Sequence, residues 1–303
     1  WSSDVCSSDL GLAEDHAQDF EIIGLLEAAC FMLEDGAESI EEACAVDNNN
    51  LHTIGSAIAK VPVTSGAKSS IERGIEVVTY LITKTIVKEE VAHGFKATPK
   101  SKYSALELLV KISESVGAGE SISTFGIASI FQLMAATPLM LRKEAFEGKE
   151  ITMEQYDEIQ RMQKTQEEKE LDAEPELKDD SADQCAERVV KMTNAGVPRA
   201  LIQLTEGSSD QSLEQIVLAL NRMANVQSVR GTMIQQGVLT TLIKLEKDEK
   251  NPSDIRKKIV RNIRHCMAKL LVTTNPGLLT SAQSMGSIKP LIQLVREIES
   301  NDL

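Results

Sequence analysis

The chain has 303 residues, of which 42% are hydrophobic but only 3% aromatic, and it carries a formal net charge of −14. A chain this acidic, with a pI near 4.9, is repelled by nucleic acid and by anionic lipid, which argues against either as its main partner. Its five cysteines (Cys6, Cys30, Cys44, Cys185 and Cys266) contain no CxxC pair, which reads as reduced thiols of a cytoplasmic protein rather than a disulfide frame or zinc site.

In chain order, Trp1 to Leu10 reads as the translation of a sequencing-library adapter joined to a partial gene, and residues 1–10 are left out of the fold reasoning. Residues 11–147 read as successive amphipathic helices. Phe20, Ile23, Leu26 and Ala29 suggest one apolar stripe, Ile71, Ile75, Val78 and Ile82 a second, and Leu106, Leu109 and Ile112 a third. Breaks are expected at Asp35-Gly36, Asp47 to Asn50, Pro62 to Gly66, Gly94 to Lys100 and Gly117 to Gly119. The uncharged stretch Ser121 to Leu141 is too polar and too broken for a membrane span and is expected to be one buried core helix.

Residues 148–183 change character. Thr152 is placed to cap a helix through Gln155, Ile159 and Met162, and Glu167 to Asp183 then holds nine acidic residues against two lysines. The expectation is a solvated helix grading into an acidic linker.

Residues 184–303 repeat one phrase three times. Gly196 to Leu204, Gly237 to Leu245 and Gly286 to Leu294 all fit G-x-x-x-x-L-I-[QK]-L, with the glycines 41 and 49 residues apart. A period near forty is that of armadillo and HEAT arrays, so the expected fold is an all-α, armadillo/HEAT-like helical-repeat solenoid. Each glycine is expected to end one helix in the left-handed conformation, with the Leu-Ile-x-Leu cluster packing between repeats. An array interrupted within its repeats exposes an apolar end, which predicts poor stability in isolation.

Longer helices are expected over Ser212 to Asn225 and Asp254 to Thr273. On the second, Ile255, Ile259, Ile263, Cys266 and Leu270 share a buried face, while Lys258, Asn262, His265 and Lys269 share another. Lys257, Arg261 and Arg264 sit beside the latter, giving a basic surface on an acidic protein. Such a surface is either a solvated face or a groove for an acidic partner segment.

Catalytic signatures are absent. The chain has no HExxH, GxSxG, GxGxxG or complete GxxxxGK[ST], and Gly66-Ala67-Lys68-Ser69 reads as a turn. The four histidines (His16, His52, His93 and His265) have no metal-ligand spacing, so no enzyme activity, metal or cofactor is expected.

Three stretches carry a family resemblance. They are Arg230-Gly231-Thr232-Met233-Ile234-Gln235-Gln236-Gly237, the run Met267-Ala268-Lys269-Leu270-Leu271-Val272-Thr273-Thr274-Asn275-Pro276, and Ile288-Lys289-Pro290-Leu291-Ile292-Gln293-Leu294. In order and spacing they resemble the R-G-x-I-V-x-Q-G, A-L-A-K-I-x-I-T-T-N-P and V-x-R-P-L-V-x-L-L phrases of the UCS (Unc/Cro/She) family of myosin chaperones. The likeness covers about Cys185 to Leu303, and Leu278 to Gln283 replaces the family's F-P-G-E-R phrase.

The resemblance implies a non-enzymatic co-chaperone that binds the myosin motor domain on an armadillo-type groove. It also implies a ninety-kilodalton heat-shock chaperone as a partner, through an N-terminal tetratricopeptide domain not visible in this sequence. Carried over from the armadillo pattern, Arg222, Asn225, Lys258, Asn262 and Lys269 are the expected groove residues. The alternative is a generic armadillo/HEAT scaffold with another protein partner.

Overall fold

The computed structural model describes residues 19–39, 65–116, 122–146, 154–155, 158, 180–247, 253–275, 277 and 279–301. Among the described residues the regular structure is entirely helical. The helices are α1 (residues 19–39), α2 (Ser65–Leu81), α3 (Thr85–Ala92), α4 (Ala105–Val116), α5 (Ile122–Met134) and α6 (Pro138–Phe146). Beyond the acidic segment follow α7 (Ala182–Asn194), α8 (Val197–Leu204), α9 (Asp210–Met223), α10 (Arg230–Gln235), α11 (Val238–Lys247), α12 (Asp254–Val272) and α13 (Ser281–Asn301). The breaks expected over Asp47 to Asn50 and at Gly117 to Gly119, the Thr152 cap, Ile159, Met162 and most of the acidic run lie outside the described residues.

The second and third stripes are buried as their periodicity requires: Ile71, Ile75, Val78 and Ile82, and Leu106, Leu109 and Ile112, are all in the core. The first stripe is shifted. Helix α1 buries Leu26, Ala29, Cys30, Leu33 and Ala37, while Phe20 is 79% exposed. At about 100° per residue Phe20 points roughly 120° away from Leu26. The break expected at Asp35-Gly36 does not occur, because Gly36 is buried inside α1. Gly66 to Ser69 likewise lies within α2 rather than in a turn.

Helix α5 is the expected core helix, with Ile127, Ala128, Ile130 and Phe131 fully buried. A fully buried side chain such as Phe131 contributes about 1.5–3 kcal/mol. The expected single helix ends early, however. Pro138 restricts the preceding residue and offers no N–H, so the chain turns at Ala135 to Thr137 and restarts as α6 at 110°. Among the described residues no single helix is long and apolar enough to cross a membrane.

The helices form two rows. In one, α5 packs on α2 and α9, and α9 packs on α12; in the other, α8 packs on α4 and α11, and α11 packs on α13. Contacts of α4 with α5, α8 with α9, α11 with α12 and α12 with α13 join the rows. One continuous core runs from Leu26 to Leu270, so the segments before and after the acidic run pack directly on each other.

One member of the acidic run is drawn into the core, although Asp183 at its end is exposed. Asp180 is 4% exposed and ion-pairs with Lys88 of α3 at 3.0 Å and Arg188 of α7 at 2.6 Å. Arg188 also pairs with Glu89 and donates to the Met134 carbonyl, while Lys88 donates to the Ala136 carbonyl. The next residue, Ser181, caps α7: its Oγ accepts from the Gln184 N–H and its own N–H donates to Gln184 Oε1. Such a capping box is worth about 1 kcal/mol and starts α7 beside the ion cluster.

The repeat glycines behave in two ways. Gly196 (φ +89°) and Gly237 (φ +94°) are left-handed and start α8 and α11 at a turn, as expected. Gly286 instead lies inside α13. Reciprocal bonds between Thr280 and Gln283 start that helix six residues earlier, so the third glycine falls within it. Its missing side chain serves packing, since a Cβ there would stand 2.8 Å from Ile243 Cγ2. Along α13, Met285, Ile288, Ile292 and Val295 form one exposed apolar stripe.

Candidate partner-binding surface

The end of α9 is the centre of a polar seam. An α-helix leaves its last carbonyls without intrahelical donors, and here other helices supply them. Lys269 of α12 donates to Asn221 O at 3.2 Å and to Asn221 Oδ1 at 2.7 Å. Arg230, the first residue of α10, donates through Nε to Ala224 O at 2.7 Å and through Nη2 to Asn225 O at 3.4 Å. Its Nη1 reaches Thr273 Oγ1, one turn beyond Lys269, at 3.5 Å. Asn221 Nδ2 donates to Asn262 Oδ1 at 3.3 Å, tying α9 to α12.

Electrostatics follow from this arrangement. Burial holds the Lys269 ammonium below the usual lysine range, and the neighbouring Arg230 charge pushes the same way. Among the described residues no carboxylate is within ion-pairing distance of Lys269 or Arg230; both are bonded to neutral acceptors. Cys266, beneath them on α12, is a fully buried thiol pushed up to about 12 by desolvation, so it is a packing residue rather than a nucleophile.

The five expected groove residues separate into two kinds. Asn225 and Lys258 are exposed, and Asn262 and Lys269 are half-buried along the seam. Arg222 is 3% exposed and faces inward. Its guanidinium pairs with Glu144 of α6 and donates to Gln132 O at 2.9 Å, fastening α9 to α5 and α6. The position aligns with a groove asparagine in the repeat phrase, but α5 and α6 occupy that side of α9 and enclose it.

Flanking charges also sort themselves. Arg264 turns inward to Glu246 at 3.1 Å and Gln293 at 2.7 Å, while Lys257 pairs with Asp254 at 2.9 Å. Ile255, expected on the buried face, is 37% exposed at the start of α12. Arg261 is exposed and His265 half-buried. Sequence reasoning did not single out Asn221 or Arg230 as site residues. The signals for Arg230 are its position at the head of the first resemblance phrase and its place between the end of one helix and the next glycine phrase, where a cation meets free carbonyls.

Among the described residues no group of histidine, cysteine and acidic side chains is arranged to hold a metal. Compared with known proteins, the chain matches no family model, no curated protein and no solved structure.

Proposed function

We propose that this chain is part of an armadillo-type helical array that acts, without covalent chemistry, as a cytoplasmic co-chaperone of the myosin motor domain. The observation that carries the reading is the recurring G-x-x-x-x-L-I-[QK]-L phrase combined with the two rows of helices. Gly196 and Gly237 start equivalent helices α8 and α11, which pack on one another, while the intervening α9 and α12 pack together in the other row. Stacked units that bury their apolar faces only against neighbours leave one row's outer edge free for a partner. The myosin partner comes from the resemblance of the phrases at Arg230, Met267 and Ile288.

The client face is the polar seam, with Asn225, Lys258, Asn262 and Lys269 as contact residues. Arg222, being buried, supports α9 from within. A client segment would be held there through many weak contacts, with charge setting register and partner choice.

Capture of purified myosin motor domain by the immobilised full chain tests this. Binding by wild type that weakens in Lys258→Glu/Lys269→Met, with an unchanged melting curve, supports both partner and face. Binding indifferent to these changes keeps the partner and moves the face. Absence of binding by a chain shown to be folded removes the myosin reading and leaves a helical scaffold for another protein.

A further inference from the structure

Two cations converge where α9 ends, and what compensates them decides what the seam can hold. The C-terminus of a helix offers roughly half an elementary negative charge. Lys269 and Arg230 bring two full positive charges to it, through the Asn221, Ala224 and Asn225 carbonyls. Glu144, the carboxylate that acts on Lys269 from a distance, is itself engaged by Arg222. Among the described residues more than one unit of positive charge is therefore left over, in a half-buried site on a chain of net charge −14. Uncompensated like charges in partial burial repel one another, and an anion placed between them relieves both costs.

The unused hydrogens define the shape of that anion. One ammonium hydrogen of Lys269 and guanidinium hydrogens of Arg230 remain after their carbonyl bonds are made. Asn262 accepts through Oδ1 and keeps its amide hydrogens, and Lys258 lies further along the same face. At 1.5 Å rise per residue, Lys258, Asn262 and Lys269 spread over about 16 Å, far more than one phosphate can bridge. An extended chain presents same-side side chains about 6.6–6.8 Å apart, close to the roughly 6 Å between Lys258 and Asn262.

We propose that Arg230 and Lys269 form an anion subsite that takes a carboxylate side chain of an extended acidic segment in a partner protein, with Asn262 and Lys258 continuing the same track. This rests on the seam being the client face and names the chemistry of the segment that lies on it.

The test is fluorescence anisotropy of the full chain with a fluorescein-labelled hexaglutamate peptide, with unlabelled hexaglutamine and inorganic phosphate as competitors. Hexaglutamate is expected to bind and to weaken as salt is raised, and hexaglutamine not to compete. Lys269→Met/Arg230→Gln is expected to lose on the order of tenfold or more in affinity, the scale for removing a charged contact. Lys269→Arg, which keeps charge and donors and so guards against a folding defect, is expected to stay close to wild type.

No binding of hexaglutamate by the folded chain, or binding unchanged in Lys269→Met, overturns the subsite. Displacement of the peptide by phosphate at comparable concentration also overturns it, in favour of a small-anion site. If the motor domain is captured while hexaglutamate is ignored, the subsite fails and the client reading stands. If hexaglutamate binds at Lys269 and the motor domain does not, the client reading fails and the subsite stands.

Discussion

Arg188 and Asp180 pair at 2.6 Å with both side chains wholly removed from solvent. Lys88 and Glu89 close the cluster, so two cations and two anions balance at the junction of α3, α7 and the end of α5. Burial pulls the Lys88 ammonium down from its usual range and the Arg188 charge adds to that pull, while the adjacent Asp180 carboxylate opposes it. A balanced buried cluster adds little net stability over an apolar replacement, but removing one member leaves an opposite charge stranded.

Arg188→Met is therefore expected to destabilise the protein by about 3–5 kcal/mol, and Asp180→Asn by a comparable amount. The double variant is expected to cost clearly less than the sum of the two, because each charge strands the other. Urea unfolding followed by circular dichroism measures all three. Strict additivity would mean that the two residues are not coupled in the folded state.

Glycine positions give effects of opposite sign. Gly237 holds φ +94° at the start of α11, where an L side chain is strained, so Gly237→Ala is expected to cost about 1–2 kcal/mol. Gly231 lies inside α10, where an added Cβ meets nothing within 4 Å, so Gly231→Ala is expected to stabilise by about 0.5–1 kcal/mol. Gly74 belongs with the first group for another reason: its Cβ would stand 2.8 Å from Leu33 Cδ2 and 3.1 Å from the Ala29 carbonyl, forcing α1 away from α2. Thermal melting of the three variants should move down, up and down respectively.

The thiols of Cys30 and Cys266 are each pushed up to about 12 from 9.0, chiefly by burial. A raised folded-state value favours the folded chain while the unfolded thiol is still protonated. That contribution is whole below about 9 and is lost as pH climbs toward about 12. Both cysteines should resist iodoacetamide at pH 8 in the native protein and react once it is unfolded, as read by mass spectrometry of the labelled peptides. Rapid native labelling of Cys266 would contradict its burial in α12.

What was legible from residue order is what depends on near neighbours. The Ile71, Ile75, Val78, Ile82 stripe is a local periodicity, and a helix that buries one face must place those residues inward whatever it packs against. Gly196 and Gly237 could be assigned to left-handed turns because φ is a property of a residue and its two peptide bonds. The same reasoning misplaced Gly286, where a capping pair at Thr280 and Gln283 six residues upstream had already started the helix.

The charged residues needed the tertiary structure, because a charge is read through its partner and the partners are remote. Asp180 sits in an acidic run that looks solvated, but Lys88, 92 residues away, draws it into the core. Arg222 looks like a surface cation on α9, and Glu144, 78 residues away, turns it inward. Lys269 instead reaches the Asn221 carbonyl, with no carboxylate at ion-pairing distance among the described residues. In the sequence all three read as surface charges; desolvation and the distance to the nearest opposite charge separate them.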